Sequence, residues 1–289
     1  MRNIGLITLV ILLSFVLVSF WDFWQFTRPK KYTAGKTPSD YGPEYESVFF
    51  KSQDGLKLSG WYIPKKGQET NESEPTIILV HGYATDKSSL LDFVPFLHKS
   101  YNLLLFDLRY SGESEGELTS FGFHEQKDVR ASVEFLKSRG VKKIGILSFS
   151  MGAAAILLAS QSLSGVSAVI ADSPFASFDL MIRQIYKDYF VLKYPIYFLA
   201  KIFGKVSIGV GTNQISPELT VSKLVPILLI HSQKDELITV DHYNRLKSIL
   251  TENTKTQFWL VTDAPHGAIY SLHKEEYQKK VLEFLDNNL

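Results

Sequence analysis

Residues 144–159 read IGILSFSMGAAAILLA, an apolar run followed by a short polar turn and then by small and aliphatic side chains. This pattern predicts a buried strand, a sharp turn and a helix. Ser150 stands at the apex of the turn, where the first N–H groups of the helix would point towards its hydroxyl. Such a turn admits only small residues two positions before and after the apex. Gly152 meets this demand, and Ser148 stands where glycine is more usual. The stretch therefore predicts a nucleophilic serine at position 150.

A nucleophilic serine needs a general base that takes its proton. His266 follows the strand-like run 257–261 and lies in a tight loop bounded by Pro265 and Gly267. We interpret His266 as the base, because a loop at a strand end can hold its imidazole ring at the edge of a sheet. His273 is the weaker alternative.

The base in turn needs a carboxylate that orients it. The apolar run 226–230 is followed, one short loop later, by Asp235. Asp235 is the favoured acid, with its neighbour Glu236 and the more distant Asp172 as competitors.

Two backbone N–H groups are the candidate donors for an oxyanion hole. The run 76–80 ends in His81-Gly82-Tyr83, a flexible corner at a strand end, and the Tyr83 N–H is the first candidate. The second is the N–H of Met151, the residue after the nucleophile. Together they would bind the negative charge that develops on a carbonyl oxygen under attack.

The order serine, acid, histidine along the chain is that of the α/β-hydrolase fold. From about residue 45 to 289 the sequence resembles an α/β-hydrolase of the serine esterase and lipase type. It is most similar to the membrane-anchored, bud-emergence-like branch, and its pattern overlaps with that of serine aminopeptidase-like lysophospholipases. The segments that carry this resemblance are DGLKLSGWY at 54–62, DLRYSGES at 107–114, DSPF at 172–175 and SP at 216–217.

Alternation of strand-like and helical runs predicts an α/β architecture. The strand-like runs lie at about 45–50, 58–63, 76–80, 102–107, 143–148, 167–172, 226–231 and 257–262. Their nearly continuous Ile, Leu and Val content indicates burial on both faces, so we expect a mostly parallel eight-stranded sheet with helices on both sides. The first two runs are close enough to form an antiparallel hairpin. The long aromatic connection at about 175–223 predicts a small helical cap with an apolar pocket.

The amino terminus carries a second signal. Residues 4–21 contain no charge, and a helix of 18 residues is about 27 Å long, close to the hydrocarbon thickness of a membrane. Aromatic residues at 21–26 would form an interfacial belt. We therefore expect a retained transmembrane helix at 1–26, a tether at 27–44 and the hydrolase domain at 45–289. A cleaved signal peptide is the alternative, and the side of the membrane on which the domain lies stays open.

Composition limits the function further. The chain has 289 residues, 45% apolar content and a net charge of +1, which fits one domain with a substantial core and argues against a nucleic-acid partner. The chain contains no cysteine, so thiol nucleophiles and disulfides are excluded. The sequence has no glycine-rich phosphate loop and no metal-ligand spacing, so we expect neither a cofactor nor a metal.

These patterns predict a membrane-anchored serine hydrolase that cleaves carboxylic esters with hydrophobic or lipid-like groups. A peptidase, amidase or thioesterase would use the same nucleophile and base. A binding protein that has lost activity is the alternative from another class, and Ser148 is the feature that favours it. Substrate identity and oligomeric state stay open.

Overall fold

The computed structural model describes residues 2–33, 35–67, 74–221 and 225–289. Within them the chain forms the strands β1 Glu46–Lys51, β2 Lys57–Ile63, β3 Thr76–Val80, β4 Asn102–Phe106, β5 Ile144–Phe149, β6 Val166–Asp172, β7 Ile227–Ser232 and β8 Gln257–Val261. Its α-helices are α1 Arg2–Thr27, α2 Val94–Leu97, α3 Glu125–Ser138, α4 Met151–Ala159, α5 Phe178–Ile185, α6 Lys193–Ile208, α7 Pro217–Thr220, α8 Val240–Leu250, α9 Ile269–Leu272 and α10 Lys274–Asn288. Each strand bound lies within one residue of the predicted one.

These strands join in one sheet with the order β1-β2-β4-β3-β5-β6-β7-β8. β1 and β2 form the expected antiparallel hairpin, β2 is antiparallel to β4, and the other neighbouring strands are parallel. Consecutive side chains pack on opposite faces, so that Ile78 belongs to the core on one side and Leu79 to the core on the other. The predicted α/β-hydrolase architecture is confirmed. It brings the carboxyl ends of the parallel strands to one edge.

Residues 175–221, between β6 and β7, are here called the cap. They contain α5, α6 and α7, and the predicted end of this segment at about residue 223 lies outside the described residues. Phe178 and Ile182 of α5 and Ala200 and Ile208 of α6 are buried in one apolar cluster. The same cluster includes Ala154 and Leu158 of α4, so it joins the cap to the rest of the fold.

The N-terminal helix α1 is a candidate membrane span. Its residues Asn3–Thr27 are long and apolar enough to cross a bilayer, and a signal sequence would have the same length and composition. The final turns of α1 pack against the cap, with the rings of Phe20 and Phe203 edge to face at 5.3 Å between centroids. Phe23 is buried in the same cluster as the cap residues. The end of α1 is therefore part of the folded hydrolase.

Candidate active site

Ser150 lies in the sharp turn between β5 and α4. Its backbone has φ 52° and ψ −118°, a conformation that costs a non-glycine residue about 1–3 kcal/mol. The Ser150 N–H donates to the carbonyl oxygen of Asp172 at 2.8 Å, which holds the turn against β6. A Cβ on Gly152 would lie 2.3 Å from the carbonyl oxygen of His81, so only glycine lets α4 begin against the end of β3. This is the strained strand-turn-helix geometry that the sequence predicts.

Ser148, the unusual residue of the motif, is fully buried within β5. Its hydroxyl donates to the carbonyl oxygen of Ile170 in the adjacent strand at 2.8 Å. The hydroxyl is therefore satisfied inside the sheet and has no route to a substrate. Its place explains why a serine can stand where glycine is more usual.

The structure brings the predicted serine, histidine and aspartate together in one hydrogen-bonded row. His266 Nε2 lies 3.0 Å from Ser150 Oγ, and His266 Nδ1 lies 2.6 Å from Asp235 Oδ2. The other carboxylate oxygen of Asp235 accepts the backbone N–H groups of Leu237 and Ile238 at 3.1 Å and 2.7 Å. These contacts fix the buried carboxylate against the imidazole. A carboxylate at Nδ1 selects the tautomer whose Nε2 accepts a proton.

The competing acids and the alternative base lie elsewhere. Glu236 accepts the backbone N–H of His266 at 3.3 Å and does not reach the ring nitrogen that faces the aspartate. Asp172 accepts hydrogen bonds from Ser173 and Tyr277, and burial raises its pKa to about 6. His273 pairs with Asp263 at the surface, at 2.6 Å. None of these three side chains therefore hydrogen-bonds to the imidazole ring of His266 or to the Ser150 hydroxyl.

Among the described residues, the backbone N–H groups of the two predicted oxyanion donors have no partner in the fold. In the described part of the chain, no acceptor binds the backbone N–H of Tyr83. The Met151 N–H is in the first turn of α4, where a helix offers no acceptor of its own. The Tyr83 loop is close, since a Cβ on Gly82 would lie 3.3 Å from the Cβ of Ser150. Both groups are thus available to a ligand at Ser150.

The sequence did not predict the buried ion pair of Lys87 and Asp107 behind the Tyr83 loop. Lys87 is 3% exposed, and its ammonium lies 2.6 Å from Asp107 and 2.8 Å from Glu113. Its backbone N–H also donates to Asp107, at 2.8 Å. The ammonium of Lys87 holds the pKa of Glu113 below its ordinary value. The pair joins the loops that follow β3 and β4, and nothing in the residues around position 87 signals it.

Ser150 opens onto an apolar cavity of about 170 Å³ between the sheet edge and the cap. Most of its wall is aromatic or aliphatic, and it is lined by Phe23, Phe26, Tyr83, Phe121, Ser150, Met151, Phe175, Phe178, Met181, Ile182, Ile185, Tyr186, Ala200, Leu237 and Ile238. Such a wall accommodates a hydrocarbon group next to the serine hydroxyl.

Two of these lining residues, Phe23 and Phe26, come from the candidate membrane span. The Tyr83 hydroxyl donates to the carbonyl oxygen of Phe26 at 2.8 Å, and the Tyr186 hydroxyl donates to Asp22 at 2.7 Å. The sequence predicts a membrane belt for the aromatic residues of this segment. Phe23 and Phe26 lie three residues apart and so on one face of a helix, but Trp21 and Trp24 have the same spacing, so the sequence does not separate the two pairs.

Among the described residues, no group of three or more His, Cys, Asp or Glu side chains is arranged to hold a metal ion. The Ser150 hydroxyl at the cavity has the His266 imidazole beside it, and Tyr83 and Met151, which carry the two N–H donors, also line the cavity. Their arrangement is suited to attack on a carbonyl carbon and to stabilisation of the resulting oxyanion.

Comparison with known proteins agrees with this fold. The family model for the α/β-hydrolase fold matches residues 75–192. The YqkD protein of Bacillus subtilis is 30% identical over 251 residues, which are 84% of this chain and 80% of that protein. The bem46 protein of Schizosaccharomyces pombe is 24% identical over 208 residues, 70% of this chain and 64% of that protein. A Pyrococcus furiosus esterase structure superposes with a TM-score of 0.72 at 29% identity, covering 91% of this chain and 98% of the esterase. The chain belongs to the α/β-hydrolase superfamily, in its bem46-like branch.

Proposed function

We propose that this α/β-hydrolase cleaves carboxylic esters with a hydrophobic acyl group, and that Ser150 is its nucleophile. The observation that carries the proposal is the row of hydrogen bonds from Ser150 through His266 to Asp235 at the mouth of an apolar cavity. The likeness to the Pyrococcus furiosus esterase supports ester hydrolysis in particular.

In the proposed mechanism, Ser150 Oγ attacks the ester carbonyl carbon while His266 Nε2 takes the hydroxyl proton. The carbonyl oxygen becomes an oxyanion, which the N–H groups of Tyr83 and Met151 would bind. Collapse of this intermediate breaks the carbon–oxygen bond of the ester, and His266 returns the proton to the leaving alcohol. Asp235 holds the imidazole in place and stabilises its protonated form.

The acyl-enzyme is then hydrolysed by the same groups. His266 takes a proton from a water molecule, whose oxygen attacks the acyl carbon on Ser150. The second oxyanion occupies the same two donors. Its collapse releases the carboxylic acid and returns the proton to Ser150 Oγ, which restores the starting state.

We further propose that α1 is retained as a membrane anchor. Removal of the helix by a signal peptidase would take Phe23 and Phe26 from the wall of the cavity and leave the Tyr83 hydroxyl without its acceptor. Buried contacts of this kind support retention, since a cleaved signal makes no lasting contact with the mature domain.

Labelling with a fluorophosphonate probe tests the chemistry, because the probe reacts with activated serines. The detergent-solubilised full chain should be labelled and should hydrolyse p-nitrophenyl esters. Ser150→Ala should abolish both activities. Ser148→Ala, the matched control two residues earlier, should keep them. Labelling that survives in Ser150→Ala, or a folded wild-type chain that is not labelled, would contradict the proposal.

A further inference from the structure

The outer face of α6 is strongly apolar. Its exposed large apolar side chains recur every four residues and so form one stripe along the helix: Tyr194, Phe198, Ile202 and Val206. Residues 189–192, just before the helix, add four more large apolar side chains that are exposed. We call this surface, residues 189–192 together with the stripe, the outer cap face.

The opposite face of α6 already has partners. Ala200 and Ile208 are buried in the cap core, and Gly204 leaves room for the ring of Phe23, whose carbons lie 4.0 Å from the position of a Cβ. The fold therefore does not use the apolar side chains of the outer cap face to pack α6 against its neighbours. Monomeric soluble proteins rarely expose contiguous apolar patches of this extent, and such patches mark protein or membrane contacts.

The packing of α6 on α1 indicates which partner covers the outer cap face. The ring of Phe203 meets that of Phe20 at 5.3 Å, and Phe20 precedes the end of α1 at Thr27 by seven residues, or about 10 Å of helix. If α1 crosses a bilayer, α6 lies beside a part of α1 that is within the apolar span. Both helices carry exposed large apolar side chains, between Ile4 and Trp24 in α1 and along the stripe in α6.

The charges around this surface fit a lipid headgroup layer. Residues 186–208 contain four lysines and one aspartate. Helices that lie in the membrane interface combine aromatic and aliphatic residues on one face with lysines beside it, and their apolar side enters the bilayer by about 5–10 Å. Lys201 pairs with Asp179 at 3.1 Å, and the long side chains of the other three lysines can reach back to anionic headgroups. If Thr27 lies at the bilayer surface, Phe20 and the adjoining part of α6 lie about 10 Å below it, at the deep end of this range.

We propose that the outer cap face is a membrane-contact surface, which lies in the interfacial layer of the bilayer that α1 crosses. The proposal rests on anchoring by α1 and is independent of the chemistry at Ser150. It places the apolar cavity, which Phe23 and Phe26 help to line, at the level of the lipid headgroups.

The absence of cysteine from the chain allows a direct test. Single-cysteine variants of the full chain, Phe198→Cys and Val206→Cys on the outer cap face, are labelled with an environment-sensitive NBD fluorophore. They are reconstituted in vesicles of phosphatidylcholine and phosphatidylglycerol that carry nitroxide-labelled lipids. Leu13→Cys in α1 reports on the anchor, and Ser248→Cys, exposed on α8, is the water-facing control. Circular dichroism checks that each variant is folded.

A nitroxide near the headgroups should lower the emission at positions 198 and 206 about twofold or more, in keeping with shallow insertion, and should leave position 248 unchanged. A nitroxide near the bilayer centre should quench position 13. Quenching at 13 without quenching at 198 and 206 would overturn the cap proposal alone. A lack of quenching at 13 would refute the anchor and this proposal with it. Blue-shifted but unquenched emission at 198 would mean that a second copy covers the face, which also overturns the proposal.

Discussion

Replacement of Phe23 by alanine should change which acyl chains the enzyme prefers. Phe23 is 6% exposed and contributes to the wall of the cavity that Ser150 also lines. Its ring packs against Phe203, with 6.1 Å between centroids. Alanine would remove the ring and extend the cavity towards the end of α1, while Ser150 and His266 would keep their positions.

The expected magnitude follows from the apolar wall. Each methylene group that an acyl chain transfers from water into the cavity contributes about 0.8 kcal/mol, or about fourfold in kcat/KM when the contact persists in the transition state. In the wild type this gain should continue until the cavity of about 170 Å³ is filled, and then stop. In Phe23→Ala the rise should continue to longer chains. Two further methylenes correspond to about 1.6 kcal/mol, or about 15-fold.

The assay is a series of p-nitrophenyl esters of increasing acyl length, measured as kcat/KM with the detergent-solubilised full chain. Trp21→Ala is the matched control, because Trp21 is two residues away on the same helix and is 63% exposed. The optimum should move in Phe23→Ala and stay in Trp21→Ala. An unchanged optimum in Phe23→Ala would refute the assignment of Phe23 to the acyl site. An equal shift in both variants would trace the effect to the anchor as a whole.

Further substitutions test the elbow and the two buried acids. Gly152→Ala should abolish activity and lower the free energy of unfolding, since its Cβ would lie 2.3 Å from the carbonyl oxygen of His81. Loss of fluorophosphonate labelling and a lower urea midpoint would show these two effects. A variant with wild-type labelling and stability would contradict the close approach. Asp235→Asn should lower kcat about 10³- to 10⁴-fold with little change in KM, because an amide cannot hold the same imidazole tautomer; steady-state kinetics decides. Asp172→Asn should keep kcat. Burial raises the pKa of Asp172 to about 6, so the folded protein binds this proton more tightly than the unfolded chain, and the resulting stabilisation is present below about pH 4 and lost as the pH rises through 6. In urea unfolding, the free energy of unfolding of the variant should therefore rise relative to that of the wild type by at most about 3 kcal/mol between pH 4 and pH 7. An equal difference between the two proteins at both pH values would contradict this sign.

The sheet could be predicted because the signal for each strand is local. A strand buried on both faces needs a nearly continuous apolar run, and residues 77–80 and 227–230 are aliphatic throughout. The candidate site residues could be predicted for a related reason. Ser150, Asp235 and His266 each follow such a run closely, and the fold brings these strand ends to one edge.

The ion pair behind the Tyr83 loop could not be predicted in the same way. A buried lysine is identified by its partners, and those of Lys87 are Asp107, twenty residues away, and Glu113. Lysine, aspartate and glutamate are common at exposed positions, so their presence in the sequence does not indicate a buried ion pair. Only the crossing of the loops after β3 and β4 makes the lysine and the carboxylates neighbours, which is a property of the assembled sheet.

The role of α1 in the cavity escaped prediction for a deeper physical reason. Hydrophobic periodicity shows which side of a helix is buried only when the other side faces water, and a helix that meets lipid on one side and a protein cavity on the other is apolar all round. Phe23 in the cavity wall and the exposed Trp21 therefore look alike in the sequence.

The contacts at the end of α1 also bear on function. The Tyr83 hydroxyl donates to the Phe26 carbonyl, which ties the end of α1 to the loop that carries a proposed oxyanion donor. The Thr119 N–H donates to the Thr27 carbonyl and ties the same end to the segment between β4 and α3. If α1 is the proposed anchor and the cavity the proposed acyl site, attachment to the membrane and the shape of that site depend on the same turns of one helix.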